Sequence, residues 1–366
     1  MRASVVGAGS FGTAIALLLE RAGVRTTLLC RTEEQAAELD ERRENVRYLP
    51  GVPLPRDLKV RTLGAHDDQF DRADLVFLAV PSKGLAQAVV ELERQGVSGR
   101  AGVVSLAKGL VPPDGTPPTV ALEVAFGPER VACIGGPAHA KEMATEGAGL
   151  VCASHSERLA HRIADVFQRA GVVCEVSDDP VGVELAGCAK NAAAVAVGAT
   201  EAQGFNAAGM AAADIMTEVA ALAERRGGQG HTFLGRAGTG DLVATALAPK
   251  SRNRSAGELL AQGVPAAEIP ERLEQAVEAL ETVPLLARAV ERAGVKAPVT
   301  SALARLIAGE LPLDDWVRLV RAAQPEPAHF GGRVRSWWRR LLARLRRRRN
   351  GQRKRNARGS GPGRVA

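Results

Sequence analysis

Paired cysteines are missing from this 366-residue chain. Its five cysteines, Cys30, Cys133, Cys152, Cys174 and Cys188, are odd in number, scattered, and never spaced Cys-x-x-Cys. That pattern excludes a disulfide framework or a zinc site. Its six histidines include no His-Glu-x-x-His and no close pair, so no metal is expected. No uninterrupted apolar run approaches the roughly 20 residues that span a bilayer. No apolar leader precedes the first motif, so a soluble cytoplasmic protein is expected.

Acidic residues are missing from one end. Between Gly331 and Ala366 there are 14 Arg and Lys and no Asp or Glu, so the net charge of +7 belongs to that end. The remainder carries 34 positive and 41 negative charges and is mildly acidic. Within the basic segment, Trp337, Leu341 and Leu345 recur at i, i+4, i+8 beside Trp338 and Leu342, with arginine filling the rest. This is the composition of an interfacial helix on anionic lipid, which would place the protein peripherally at a membrane surface. The competing reading is a disordered basic extension that binds nucleic acid loosely or nothing. No specific nucleic-acid partner is expected.

With 46% hydrophobic residues the chain is long enough for two packed domains and too long for one ordinary core. Apolar runs at 4–6, 26–30, 75–80, 102–105, 131–134, 150–152 and 172–176 alternate with helical patterns at 13–21, 85–94 and 156–169. That rhythm predicts an α/β N-terminal domain with a mostly parallel, doubly wound Rossmann-type sheet. Beyond Pro180 the chain turns to long alanine-rich stretches, which predict an all-α C-terminal domain. The expected divisions are residues 1–178 for dinucleotide binding, 179–324 for a helical substrate and catalytic domain, and 325–366 for the basic tail.

What is present begins with Gly7-Ala-Gly-Ser-Phe-Gly12, set between a strand and a helix. In a dinucleotide fingerprint the first glycine makes the tight turn, the second admits the pyrophosphate, and the third lets helix and strand pack. The end of the second strand, where NAD-specific sites carry an acid, here reads Cys30-Arg31. An arginine suits a ribose 2′-phosphate and favours NADPH over NADH. A plain surface role for Arg31 stays open, because Glu33 and Glu34 follow it.

A lysine and an asparagine, Lys190 and Asn191, interrupt the small apolar run from Glu184 to Gly198. Burial lowers a lysine's pKa, so Lys190 is a candidate proton donor and acceptor near neutral pH. Gly187, one turn earlier, would leave room there for a small ligand. The competing reading is a snorkelling lysine with a structural asparagine. Further on, the Gly238–Thr245 segment contributes Asp241, and Ser251-Arg-Asn-Arg254 contributes donors. An anion and a donor cluster are what orient a lysine and clamp a phosphate or carboxylate. Taken singly, Asp241 could be a helix cap and Arg252 could lie in a solvated loop.

These segments, with Arg43-Glu-Asn-Val-Arg-Tyr-Leu-Pro-Gly51, Ala79-Val-Pro-Ser82, Ala107-Lys-Gly109 and Gly135-Gly-Pro-Ala-His-Ala-Lys-Glu142, resemble bacterial NAD(P)-dependent glycerol-3-phosphate dehydrogenases over about residues 1 to 322. The resemblance implies reduction of dihydroxyacetone phosphate to sn-glycerol 3-phosphate, a phospholipid precursor, with NADP preferred or NAD as cofactor. It implies a C-terminal domain like that of 6-phosphogluconate dehydrogenase. It makes Lys190 the general acid and base, with Lys108 and Asp241 beside it. Substrate would be bound by Lys108, Gly136, Asn191, Thr245, Ser251, Arg252 and Asn253. Cofactor would be bound by Gly7, Gly9, Ser10, Phe11, Gly12, Arg31, Lys108, Ala140, Arg252 and Glu281. The sequence does not give the oligomeric state, and a homodimer is one reading of it.

The chain departs from the family at two places. Ala138 and His139 stand where the family carries a hydroxyl residue and an aromatic. The stretch from Glu201 to Met210 has Ala208 and Met210 about where it carries an asparagine and a basic residue. Two alternatives therefore remain beside the main reading. One is a dehydrogenase of another small phosphorylated or carboxylated hydroxy compound. The other is a catalytically silent NADPH-binding protein that acts through its tail.

Overall fold

The computed structural model describes residues 1–64, 70–248 and 251–323; the Trp/Leu/Arg tail lies outside the described residues. In chain order the first part runs β1 (Arg2–Val6), α1 (Ser10–Arg21), β2 (Arg25–Cys30), α2 (Glu33–Arg42), β3 (Lys59–Thr62), β4 (Leu75–Leu78) and α3 (Leu85–Gln95). It continues with β5 (Gly102–Ser105), α4 (Pro118–Phe126), β6 (Val131–Gly135), α5 (Ala140–Thr145), β7 (Gly149–Ala153), α6 (Glu157–Arg169) and β8 (Val173–Ser177). The helical part holds α7 (Pro180–Thr200), α8 (Phe205–Arg225), α9 (Asp241–Leu247), α10 (Arg252–Ala261), α11 (Ile269–Arg272), α12 (Glu278–Arg292), α13 (Pro298–Ile307) and α14 (Leu313–Ala322).

The strands form one eight-stranded sheet in the order β3-β2-β1-β4-β5-β6-β7-β8, parallel throughout except for the antiparallel pair β6 and β7. β4 and β5 are buried at every position, the signature of strands covered on both faces. One face packs against α1 and α6 through Ile15, Leu18, Ile163 and Phe167. The opposite face packs Leu85 and Leu92 of α3 and Leu122 of α4. Strand order reverses at β1, with β2 on one side and β4 on the other. In such sheets ligands bind where the carboxyl ends of the strands diverge at this switch point. Both segments that follow, Gly7–Gly12 after β1 and Ala79–Pro81 after β4, lie there.

The helical part is organised around α7. Pro180 occupies its first turn, and Asp179 caps it by accepting from the Gly182 amide at 2.9 Å. The helix and its following turn, Pro180–Gln203, are long and apolar enough by composition to cross a bilayer. Their most apolar window is 94% buried against neighbouring helices, so the apolarity belongs to a core helix. Alanine and glycine let those neighbours come close. A Cβ on Gly257 of α10 would stand 2.0 Å from the Val195 carbonyl oxygen of α7, and one on Gly198 of α7 would stand 2.0 Å from the Arg254 carbonyl oxygen. The two backbones touch through reciprocal glycines. That contact draws the start of α10, with Ser251, Arg252 and Asn253, onto the middle of α7.

Candidate active site

The fingerprint turn has the geometry its glycines demand. Gly7 sits at φ +109°, and a Cβ there would meet the Ala79 carbonyl at 2.5 Å; one on Gly12 would meet the Gly7 carbonyl at 2.0 Å. Gly9, by contrast, faces open space. It is the N-cap of α1, and no side chain caps that helix and no acid lies in its first turn. The first amides of α1, from Ser10 and Phe11 onward, are therefore available to an anion, which fits a dinucleotide pyrophosphate. The helix starts at Ser10, earlier than the apolar spacing from Thr13 indicated, because the glycine turn itself closes the first turn.

Across the switch point stands a cluster of charge. Lys108 follows β5, and its Nζ donates to Asp241 Oδ2 at 2.6 Å and to the Gly136 carbonyl at 3.0 Å. It also lies 5.8 Å from the centroid of the Phe11 ring. Lys190, on α7, donates from Nζ to Thr245 Oγ1 at 3.0 Å and lies 3.3 Å from Asp241 Oδ1. Asp241, at the start of α9, thus sits between two ammonium groups and is 3% exposed. Gly187 does not open a ligand slot; the stem of Lys108 packs over it.

A second chain of contacts runs beside the first. Asn191 donates from Nδ2 to the Lys108 carbonyl at 3.1 Å, and its Oδ1 accepts from Asn253 Nδ2 at 2.9 Å. Ser251 caps α10 by accepting from the Arg254 amide at 3.4 Å. Arg252 is exposed and reaches the Ala276 carbonyl at 3.4 Å. Ala140 opens α5 just after the Gly-Pro segment, where His139 Nε2 lies 3.3 Å from the Ala244 carbonyl of α9. That contact ties the loop carrying Gly136 to the helix carrying Asp241 and Thr245.

The electrostatics follow from this geometry. Burial, reinforced by Lys108, lowers the Lys190 pKa from an ordinary 10.5 to about 8, although Asp241 pulls it upward. Burial alone would raise the Asp241 carboxyl. The two lysines outweigh it and hold that carboxyl below its usual range. An amine in that range is able to give and take a proton near neutral pH, and this one stands beside the Asp241 anion.

Two glutamates of α12 face different ways. Glu281 does not join the cluster: it lies on the exposed side of α12 and pairs with Lys83 at 2.6 Å. Glu278, one turn earlier, points inward instead. Burial raises its carboxyl, against the pull of Lys190, Lys108 and Arg252. The sequence signal for it was the helical frame Ala279, Thr282, Val283 and Leu286, all buried, which places position 278 on the inner face and 281 outside. Glu184 was also passed over. Its carboxylate, near the start of α7, accepts from the Thr119 amide at 3.0 Å and from Thr119 Oγ1 at 2.6 Å, joining α7 to α4. Among the described residues no group of three or more His, Cys, Asp or Glu could hold a metal ion.

A dinucleotide turn at the switch point of a Rossmann-type sheet, facing a buried lysine on a helical domain, defines a nicotinamide-dependent dehydrogenase. Residues 2–160 match the model of the NAD-dependent glycerol-3-phosphate dehydrogenase N-terminus, and residues 179–318 match that of its C-terminus. The chain is 36% identical over 334 residues to the glycerol-3-phosphate dehydrogenase [NAD(P)+] of Parafrankia sp., a match covering 90% of this chain and 99% of that one. It is 32% identical over 336 residues to that of Chlorobium phaeobacteroides, covering 90% and 100%. The crystal structure of the Coxiella burnetii glycerol-3-phosphate dehydrogenase superposes with a TM-score of 0.80 at 27% identity, covering 88% of this chain and 99% of that one. The chain belongs to the NAD-dependent glycerol-3-phosphate dehydrogenase family.

Proposed function

We propose that this chain reduces dihydroxyacetone phosphate to sn-glycerol 3-phosphate, reversibly, and so supplies the phospholipid backbone. The observation that carries this reading is the buried Lys190–Asp241–Lys108 cluster standing opposite the Gly7–Gly12 turn. Gly7, Gly9, Ser10, Phe11 and Gly12 would hold the dinucleotide, with Lys108, Ala140 and Arg252 nearer its nicotinamide end. A bound reduced nicotinamide supplies the hydride. Residues 1–178 serve the dinucleotide and 179–324 the substrate.

Protonated Lys190 donates a proton to the substrate oxygen as the carbonyl becomes a hydroxyl, and in reverse takes the hydroxyl proton. Asp241 keeps two neighbouring ammonium groups tolerable, while Thr245 fixes the direction of the Lys190 amine. The excess positive charge of Lys108, Lys190 and Arg252 attracts a phosphorylated substrate. Asn191, Ser251, Arg252, Asn253 and the Gly136 loop would orient it. Arg31 favours NADPH over NADH, and Arg31→Ala should move the ratio of the two specificity constants toward NADH. An unchanged ratio returns Arg31 to the solvated surface.

The direct test is NADPH oxidation across a panel of phosphorylated and carboxylated ketones. Dihydroxyacetone phosphate should have the highest kcat/KM. Better use of another ketone would shift the assignment to a related hydroxy compound, which Ala138 and Met210 would accommodate. Arg252→Lys should weaken use of dihydroxyacetone phosphate far more than binding of free cofactor, since lysine cannot copy a bidentate grip. Equal loss of both would indicate a folding defect, and no loss would favour a substrate without phosphate.

Two finer assignments complete the proposal. The basic segment beyond the described residues, with its Trp337–Leu341–Leu345 stripe, supports contact with anionic lipid. Assembly as a homodimer is the second, and light scattering tests it.

A further inference from the structure

We propose that Arg47 is the second cation of the 2′-phosphate site and, with Arg31, determines cofactor choice. This rests on the NADPH preference proposed above and extends it to a residue outside the strand-end position. A cleft of about 240 Å³ opens beyond the carboxyl end of β2, lined among others by Arg31, Thr32, Glu34, Arg47 and Tyr48. It adjoins the Gly7–Gly12 turn. The Ala8 carbonyl inside that turn accepts from Asn45 Nδ2 at 3.0 Å and from Gln35 Nε2 at 3.2 Å, and both residues line the cleft.

The loop that presents Arg47 is firmly held. Asn45, two residues earlier, is 1% exposed and also donates to Thr13 Oγ1 at 2.7 Å. Its carbonyl accepts from the Leu49 amide at 2.7 Å, closing a turn around Arg47. Arg43, at the base of the loop, donates to the Leu58 carbonyl at 2.8 Å. The guanidinium of Arg47 itself lies over the Tyr48 ring, 5.2 Å from its centroid.

Charge in the cleft is arranged to suit an anion. Neither Arg31 nor Arg47 has a carboxylate within 4 Å among the described residues, although two glutamates line the same cleft. Glu38 is turned to Arg42 at 3.6 Å. Glu34 is turned back to the start of α2, where hydrogen bonds from its own backbone amide and from Thr32 hold its carboxyl below the ordinary range. The two acids are engaged and the two guanidiniums are not. A ribose phosphate monoester entering from the pyrophosphate side would meet two guanidiniums lining one cleft, and the planar guanidinium donor set suits phosphate.

The test is binding of 2′,5′-ADP and of 5′-AMP to the full chain by calorimetry, for wild type, Arg47→Ala and Arg47→Gln. These probes differ only in the 2′-phosphate and involve no ketone, so failure of the dehydrogenase assignment would leave the result unaffected. The expected result is that wild type prefers 2′,5′-ADP, and that either substitution raises its Kd about tenfold or more, the worth of one charge-assisted hydrogen bond. The Kd for 5′-AMP should change less than about twofold. If both ligands weaken together, or neither does, Arg47 has no part in selecting the 2′-phosphate. If wild type binds the two equally, the NADPH preference fails and this proposal with it.

Discussion

Lys190 owes its proposed role to its neighbours. Desolvation lowers its proton affinity, Lys108 lowers it further, and Asp241 limits the fall so that it settles near 8. The sign of the pH dependence follows. Reduction needs the ammonium form, so kcat/KM for the ketone should fall about tenfold per pH unit above the pKa, while oxidation of the alcohol should rise toward a plateau over the same range. Parallel profiles in the two directions would separate Lys190 from proton transfer. Asp241→Asn removes the one anion between two ammonium groups. The falling limb should then move to lower pH, and because a buried ion cluster has lost its counter-charge the variant should be about 3–5 kcal/mol less stable. A limb that stays in place would mean that Asp241 does not set the Lys190 pKa.

At the residue scale the sequence shows its chemistry where polar side chains interrupt an apolar context. Lys190 and Asn191 stand out among alanines, and Asp241 among glycines. Glu278 and Glu281 could not be separated that way, since both sit in one ordinary amphipathic helix. Which of them turns inward follows from the helical frame of Ala279, Thr282, Val283 and Leu286, a signal separate from the polar interruption. Arg47 was legible as part of a motif, but its sharing of a cleft with Arg31 depends on the Asn45 anchor, a long-range contact that no local pattern carries.

Among the elements, α7 and α10 carry the residues proposed to bind substrate. Gly257→Ala would push a methyl into the α7 backbone and, by overpacking, cost about 1–3 kcal/mol. Thermal unfolding and KM should respond together: KM for dihydroxyacetone phosphate should rise because Asn253 is displaced from Asn191, with NADPH affinity little changed. An unaltered KM in a destabilised variant would show that the contact supports stability alone. Glu184 links α7 to α4, and burial raises its pKa from 4.5 to about 8. Between those values the folded state holds a proton that the unfolded state has released, so this group's contribution to stability falls as pH rises through the window. Glu184→Gln keeps the shape and abolishes the titration. Urea unfolding at about pH 5 and pH 9 should show a smaller loss in the variant than in wild type, and an equal loss would contradict the account. The parallel strands and their order of helices were readable because buried strands are continuous apolar runs. The short edge strand β3 and the charged helix α2 were not, since their exposure leaves no such run.

For the whole molecule, charge separates two parts. The body up to Phe330 carries an excess of acid, whereas the segment from Gly331 onward is wholly basic among its charged residues. The chain should sediment with anionic vesicles but not neutral ones, and truncation after Gln324 should abolish that while leaving activity in solution intact. Equal binding to both vesicle types, or to neither, would remove the lipid assignment. The central claim concerns Lys190, and single-turnover reduction of dihydroxyacetone phosphate by Lys190→Ala with saturating NADPH tests it most directly. Turnover should fall on the order of 10²- to 10⁴-fold with the NADPH dissociation constant nearly unchanged. Retention of more than about a tenth of wild-type turnover would contradict the assignment of Lys190 as the proton donor.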